Sequence, residues 1–153
     1  MKIVDLLKKD YIVEELVSSG KQEVLEELSQ RILKHNRTFY PEAMIRTLMD
    51  REKLGSTGIG EGIAIPHGRL DGLEEVIVAF GRSLRGVDFD ALDGKPVYLF
   101  FLLLAPERAA TEHLKVLARI SRMLKDLNFR SRLMEAPSRD EIYWIIAEKD
   151  GQT

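Results

Sequence analysis

Val97-Tyr98-Leu99-Phe100-Phe101-Leu102-Leu103-Leu104 runs without a charged or amide side chain. A strand wetted on one face would alternate apolar and polar residues, so this run predicts a central strand covered on both faces. Pro96 stands just before it, where a missing N–H is tolerated, and Ala105-Pro106 closes it. The run is far short of the roughly 20 residues that a membrane helix needs. Upstream, Ile63-Ala64-Ile65 is a short strand candidate and Val76-Ile77-Val78-Ala79-Phe80 a longer one.

Helical periodicity surrounds these strands. Downstream, a helix capped by Thr111 is expected to bury Leu114, Leu117, Ile120, Met123 and Leu124. A last helix starts at Ser138, where Ser138 and Glu141 form a capping-box pair ahead of Ile142, Ile145 and Ile146. Upstream, a helix follows Ser18 and Ser19, either of which can cap it, with Val24, Leu25, Leu28, Ile32 and Leu33 on one face. Another begins at Pro41, carries Met44, Ile45, Leu48 and Met49, and ends at Gly55. Helices, then strands, then helices predict a single α/β domain over residues 1–153, with helices on both faces of a central sheet.

Composition narrows the function. Of 153 residues, 44% are apolar, enough for a proper core, and 31% are charged with only 5 prolines, which is not a disordered chain. With 23 basic against 25 acidic residues, the net charge of −2 argues against a nucleic-acid partner. The basic stretch of Arg119, Arg122, Lys125, Arg130 and Arg132 is interrupted by Asp126 and Glu135 and reads as a solvated face. The absence of cysteine excludes disulfides, zinc–thiolate sites and cysteine nucleophiles. The N-terminus mixes Asp5, Lys8, Lys9 and Asp10 into its apolar residues, so no signal peptide and a cytoplasmic location are expected. His35 is expected to interact with the carbonyls ending its helix, and Trp144 to be a partly buried packing residue.

Gly55, Gly58, Gly60 and Gly62 invite comparison with a phosphate loop. A dinucleotide fingerprint must follow a strand and open a helix, whereas these glycines follow a helix and lead into Ile63-Ala64-Ile65-Pro66. They read as a turn-rich loop permitting positive φ. The segment ends in His67, at the end of the short strand and set between Pro66 and Gly68, where the glycine leaves room beside the imidazole. From these features, a structural histidine and a reactive one both stay open.

The segment also resembles the signature of the enzyme IIA components of the bacterial phosphoenolpyruvate-dependent phosphotransferase system, fructose/mannitol type. Glu52, Ile59, Gly60, Ile63, Ala64, Ile65, Pro66, His67 and Gly68 meet every position of that pattern. Phe89-Asp90-Ala91-Leu92-Asp93, the strand ending in Ala105-Pro106, and Glu112-His113-Leu114 extend the resemblance over the chain, more weakly before Pro41. The string Gly55-Ser56-Thr57-Gly58-Ile59-Gly60 looks like the nitrogen-regulatory branch.

The resemblance implies a small mixed sheet flanked by helices on both faces. It implies that His67 accepts a phosphoryl group, on Nε2, from a phosphohistidine of the carrier HPr or a paralogue. It further implies that Arg51 and His113 stabilise that group, with no cofactor or metal. Without it, Arg51 reads as a helix-terminal cation and His113 as an ordinary helical histidine. A neutral imidazole, titrating near about 6.5, suits the chemistry, and a planar guanidinium can hold phosphoryl oxygens bidentately. His113 is expected in the first turn after Thr111, where helix-terminal N–H groups favour an anion. Glu61 and Arg69 are candidates for supporting roles around His67. Three outcomes of the chemistry are open. One is regulation of target proteins by phosphorylation state. The second is delivery of phosphate to a separate IIB protein for sugar uptake, since no fused IIB or permease segment is expected. The third is a silent interaction module.

Overall fold

The computed structural model describes residues 2–37 and 40–153; Met1, Thr38 and Phe39, which the expected domain over residues 1–153 includes, lie outside the described residues. In chain order the elements are β1 (Leu7–Val13), α1 (Lys21–His35), α2 (Pro41–Lys53), β2 (Gly58–Gly60), β3 (Ile63–Ala64), β4 (His67–Arg69), β5 (Ile77–Val87), β6 (Val97–Ala105), α3 (Ala110–Met123), α4 (Leu127–Glu135) and α5 (Arg139–Gln152). The strands form one mixed sheet in the order β1-β5-β6-β3-β2, with β4 also on β6. β5 is antiparallel to β6, while β3 and β4 run parallel to it along its other edge.

The unbroken apolar run becomes β6, and Leu99 to Ala105 are all buried, as a strand covered on both faces requires. Neighbouring residues of β5 show which helices do the covering. A Cβ on Gly81 would lie 2.9 Å from the Leu28 side chain of α1. Arg82 points the other way and donates to the carbonyls of Leu133 (3.0 Å) and Ala136 (2.6 Å) at the end of α4. Successive strand residues face opposite sides, so α1 and α4 lie on opposite faces of the sheet.

Register explains the short strands before the middle of the chain. Ile63 pairs with Leu99, Ala64 with Phe100 and His67 with Leu103, a constant offset. β3 and β4 are therefore two stretches of one line along β6, nicked at Ile65-Pro66. The expectation that His67 ends a strand is corrected: the proline interrupts the line, and His67 opens its second stretch.

Other expectations also need revision. A short 3-10 turn (Ile3–Asp5) and then β1 precede the helices, and β1 leaves no clear strand signal because Lys8, Lys9 and Asp10 are exposed at the sheet edge and break the alternation. α4 was missed because it is short and buries only Phe129 and Leu133, although Asp126 caps it by accepting from the N–H groups of Asn128 and Phe129. Neither Ser18 nor Ser19 caps α1; Gly20 does, and the Ser18 hydroxyl donates to Glu27 (2.7 Å). α3 begins at Ala110, one residue before Thr111, and the N-cap Ala109 supplies no side-chain acceptor. The face it buries carries His113, Val116, Ile120 and Met123, leaving Leu114 67% exposed.

His35 meets Asp10 (3.7 Å) rather than helix carbonyls, because β1 runs beside α1. Trp144 is exposed, its ring edge-on to Tyr143 and under the Lys9 ammonium. Nor is the basic stretch simply solvated. Arg119 donates to the fully buried carboxylate of Asp150 (2.6 Å), which also accepts from the Val4 N–H (3.1 Å), while Arg132 pairs with Glu148. Pro41 at the start of α2, Gly55 with positive φ just past its end, and Ser138 accepting from the Glu141 N–H are all as expected.

Phe101 is fully buried on β6 and packs edge-on against Phe80 of β5. Phe101→Ala should lower unfolding stability by about 3–5 kcal/mol. Urea titration checks this, and a loss below about 1 kcal/mol would mean that β6 is not the packing centre.

Candidate functional site

Thr47 and Arg51 lie one turn apart on the same face of α2. A Cβ on Gly68 would lie 2.7 Å from the Thr47 methyl, so a glycine at this point of β4 lets α2 press against the strand. One turn further on, that approach carries the Arg51 guanidinium to His67. Its Nε–H donates to His67 Nε2 at 3.3 Å, and its Nη1 donates to the Gly55 carbonyl at 3.0 Å.

The other ring nitrogen sets the tautomer. His67 Nδ1 is 2.8 Å from the Ile65 carbonyl oxygen. A carbonyl can only accept, so Nδ1 carries the proton and Nε2 keeps its lone pair. Ile65 sits at the nick between β3 and β4, which is why its carbonyl is turned to the ring two residues on. From α3, the buried His113 meets His67 edge-on, with ring centroids 5.5 Å apart and planes at 81°.

These side chains share a cleft of about 490 Å³, also lined by Gly68, Arg69, Glu107, Ala110 and Leu114. Removal from water pushes His67 below the ordinary imidazole value, and the Arg51 charge pushes the same way. The Ile65 hydrogen bond and the Glu52 charge oppose the shift. His113 is lowered too, by burial first and then by the charges of His67 and Arg69. The lowered values favour the uncharged form of both rings near neutral pH, and Nε2 of His67 then carries a lone pair beside the Arg51 guanidinium. Among the described residues, no three His, Asp or Glu side chains converge to hold a metal ion.

Of the residues picked out from sequence, His67, Arg51 and His113 come together, and Arg69 joins them at the cleft. Glu61 does not. It has positive φ, and its carboxylate pairs with Arg130 (3.4 Å) at a separate hollow of about 600 Å³ beside Tyr98 and Met134. The glycine-rich loop is a backbone scaffold. The Ser56 hydroxyl donates to the Phe89 carbonyl, and Asp93 accepts from the Glu61 N–H across Gly60. Sequence reading missed Thr47, Glu107 and Leu114 at the cleft. Thr47 stands one turn before Arg51, a spacing that could have found it; Leu114 was assigned to the buried stripe.

Residues 5–149 match the family "Phosphoenolpyruvate-dependent sugar phosphotransferase system, EIIA 2". The chain belongs to this family of phosphotransferase-system IIA components. It is 41% identical over 147 residues to a nitrogen regulatory protein of Bradyrhizobium diazoefficiens, covering 96% of this chain and 95% of that one. Its fold is similar to the crystal structure of nitrogen regulatory protein IIA-Ntr from Neisseria meningitidis, with TM-score 0.88, 39% identity, and coverage of 94% of this chain and 98% of that one. It is also similar to the mannitol enzyme IIA of Escherichia coli, solved in complex with phosphorylated mannitol enzyme IIB, with TM-score 0.78 and 25% identity over 94% of this chain and 99% of that one.

Because the folded ring holds a proton less tightly than the unfolded one, its contribution to stability is complete above about pH 6.5 and is lost as pH falls through the depressed value. Proton NMR titration of His67 should give a midpoint below about 6.5. Arg51→Gln, which removes the neighbouring cation, should move it upward. A midpoint at or above the ordinary value in the native protein would contradict this electrostatic description.

Proposed function

We propose that this protein is a cytoplasmic phosphocarrier that takes a phosphoryl group on Nε2 of His67 from a phosphohistidine of an HPr-like protein. The observation that carries the reading is the fixed tautomer: Nδ1–H is committed to Ile65, so the lone pair on Nε2 faces the cleft beside Arg51. In the transfer, Nε2 forms the new P–N bond. The carrier's P–N bond breaks, and its electron pair returns to the carrier imidazole. Chemistry of this kind asks the acceptor protein mainly for in-line positioning and for donors around the phosphoryl oxygens. Arg51, anchored through Nη1 on Gly55, exchanges its contact with Nε2 for a phosphoryl oxygen. His113 and the N-terminal end of α3, which borders the cleft at Ala110, face the same incoming negative charge.

The identity to nitrogen regulatory proteins supports a regulatory outcome, in which the charged and uncharged forms bind target proteins differently. The likeness to a mannitol enzyme IIA solved with its phosphorylated IIB supports the second reading, onward transfer to a IIB protein. Capture partners that differ between the two forms favour the first. Rapid transfer to a IIB protein, with identical capture profiles, favours the second.

Incubation with phosphoenolpyruvate, enzyme I and the carrier should add one acid-labile phosphoryl group by intact mass, and His67→Ala should add none. Arg51→Lys should slow transfer on the order of tenfold to a hundredfold, because one charge remains while the fork is lost. His113→Ala should also slow it. A phosphorylated His67→Ala protein would overturn the assignment.

A further inference from the structure

Lys21 lies 46 positions before His67 in sequence, yet a continuous run of polar contacts joins the two. Lys21, at the first position of α1, places its ammonium 3.0 Å from Glu52 Oε1. The pair is withdrawn from water: the Lys21 side chain is 15% exposed and that of Glu52 2%. The Lys21 ammonium also lies over the Phe89 ring, 4.9 Å from its centroid, and 3.8 Å from the Asp90 carboxylate. Glu52 in turn accepts from the Thr57 N–H (3.1 Å) and from the Thr57 hydroxyl. The Thr57 carbonyl accepts from the Ile65 N–H (3.0 Å), and the carbonyl of that same Ile65 accepts from His67 Nδ1–H.

Glu52 follows Arg51 directly on α2, and its two oxygens fix Thr57. Gly55, which anchors the Arg51 guanidinium, lies between them. The pair is thus connected to both partners of the ring, to the Arg51 anchor through the segment that holds Gly55 and to Ile65 through Thr57. A carboxylate this deeply buried needs a partner of opposite charge, and Lys21 lies 3.0 Å away.

We propose that the buried Lys21–Glu52 pair is a positioning device for phosphoryl transfer, acting through Thr57 and Ile65 to hold His67 with its proton on Nδ1 and its lone pair on Nε2. Neither residue touches the phosphoryl group. This inference rests on the reading of His67 as the acceptor.

The test compares the native protein with Thr57→Val, which keeps the shape and removes the hydroxyl donor, and with the double variant Lys21→Met/Glu52→Gln. The double variant replaces an ion pair with a neutral one and leaves no lone buried charge. Two readouts are taken at pH 7.5 on folded protein. Imidazole ¹⁵N shifts report the His67 tautomer with no phosphoryl chemistry involved, and single-turnover transfer from the phosphorylated carrier reports rate and saturation separately.

The expected result is one tautomer in the native protein and a mixture in both variants. Maximal transfer should fall about tenfold or more, with half-saturation within about twofold, because misplacement of a reacting atom acts on the chemical step. Lys21→Arg, which keeps the cation, should restore the single tautomer. Variants that melt normally, hold the native tautomer and transfer at the native rate would overturn the proposal. A native protein that shows the Nδ1–H tautomer but is never phosphorylated on His67 would instead overturn the acceptor reading.

Discussion

The site depends on the contact between Gly68 and Thr47. Only a hydrogen separates the β4 backbone from the Thr47 methyl, since a Cβ there would sit 2.7 Å away. This lets α2 lie directly on the strand that carries His67. A helix turn rises about 5.4 Å, so the residue one turn beyond Thr47 lands beside the residue preceding Gly68. That residue is Arg51, and its partner is His67. A side chain at position 68 would collide with the Thr47 methyl, on the face of α2 that carries Arg51. The Pro-His-Gly triplet is thus a packing motif as much as a chemical one.

The platform beneath is rigid for a simple reason. β5 and β6 bury both faces over most of their length, so the strand at their edge is held by a core that cannot rearrange locally. Against that edge, Pro66 nicks the ladder, and the nick redirects the Ile65 carbonyl to the imidazole. A histidine in an uninterrupted ladder would have no such carbonyl two residues back. His113 comes from α3, the helix that follows β6, so three separate chain segments meet at the His67 ring.

The central strand, α1, α2, the cap of α5 and the place of His67 after a glycine-rich loop were legible because each leaves a local mark. The marks are an unbroken apolar run, a 3.6-residue stripe, a proline or serine at a helix start, and a signature around His67. What was illegible depended on distance. Lys8 and Lys9 on β1 look like helix or loop residues until β5 supplies the neighbour that makes them an edge. Leu114 fits the apolar stripe of α3 by spacing, yet it faces the cleft, because His113 and Val116 take the buried positions. Arg119 joins a basic run in sequence, but only the fold brings it to Asp150, 31 residues later. Glu61 adjoins the signature, but its positive φ turns it away toward Arg130.

The proposal that Nε2 is the reacting nitrogen is tested most directly by locating the phosphorus on the ring. Long-range ¹⁵N correlation spectra of the phosphorylated, ¹⁵N-labelled protein resolve the two ring nitrogens of His67 and show which one couples to ³¹P. Coupling at Nε2, with Nδ1 still bearing its proton toward Ile65, is the predicted result. Coupling at Nδ1 would contradict it, because that nitrogen would have had to abandon the Ile65 carbonyl.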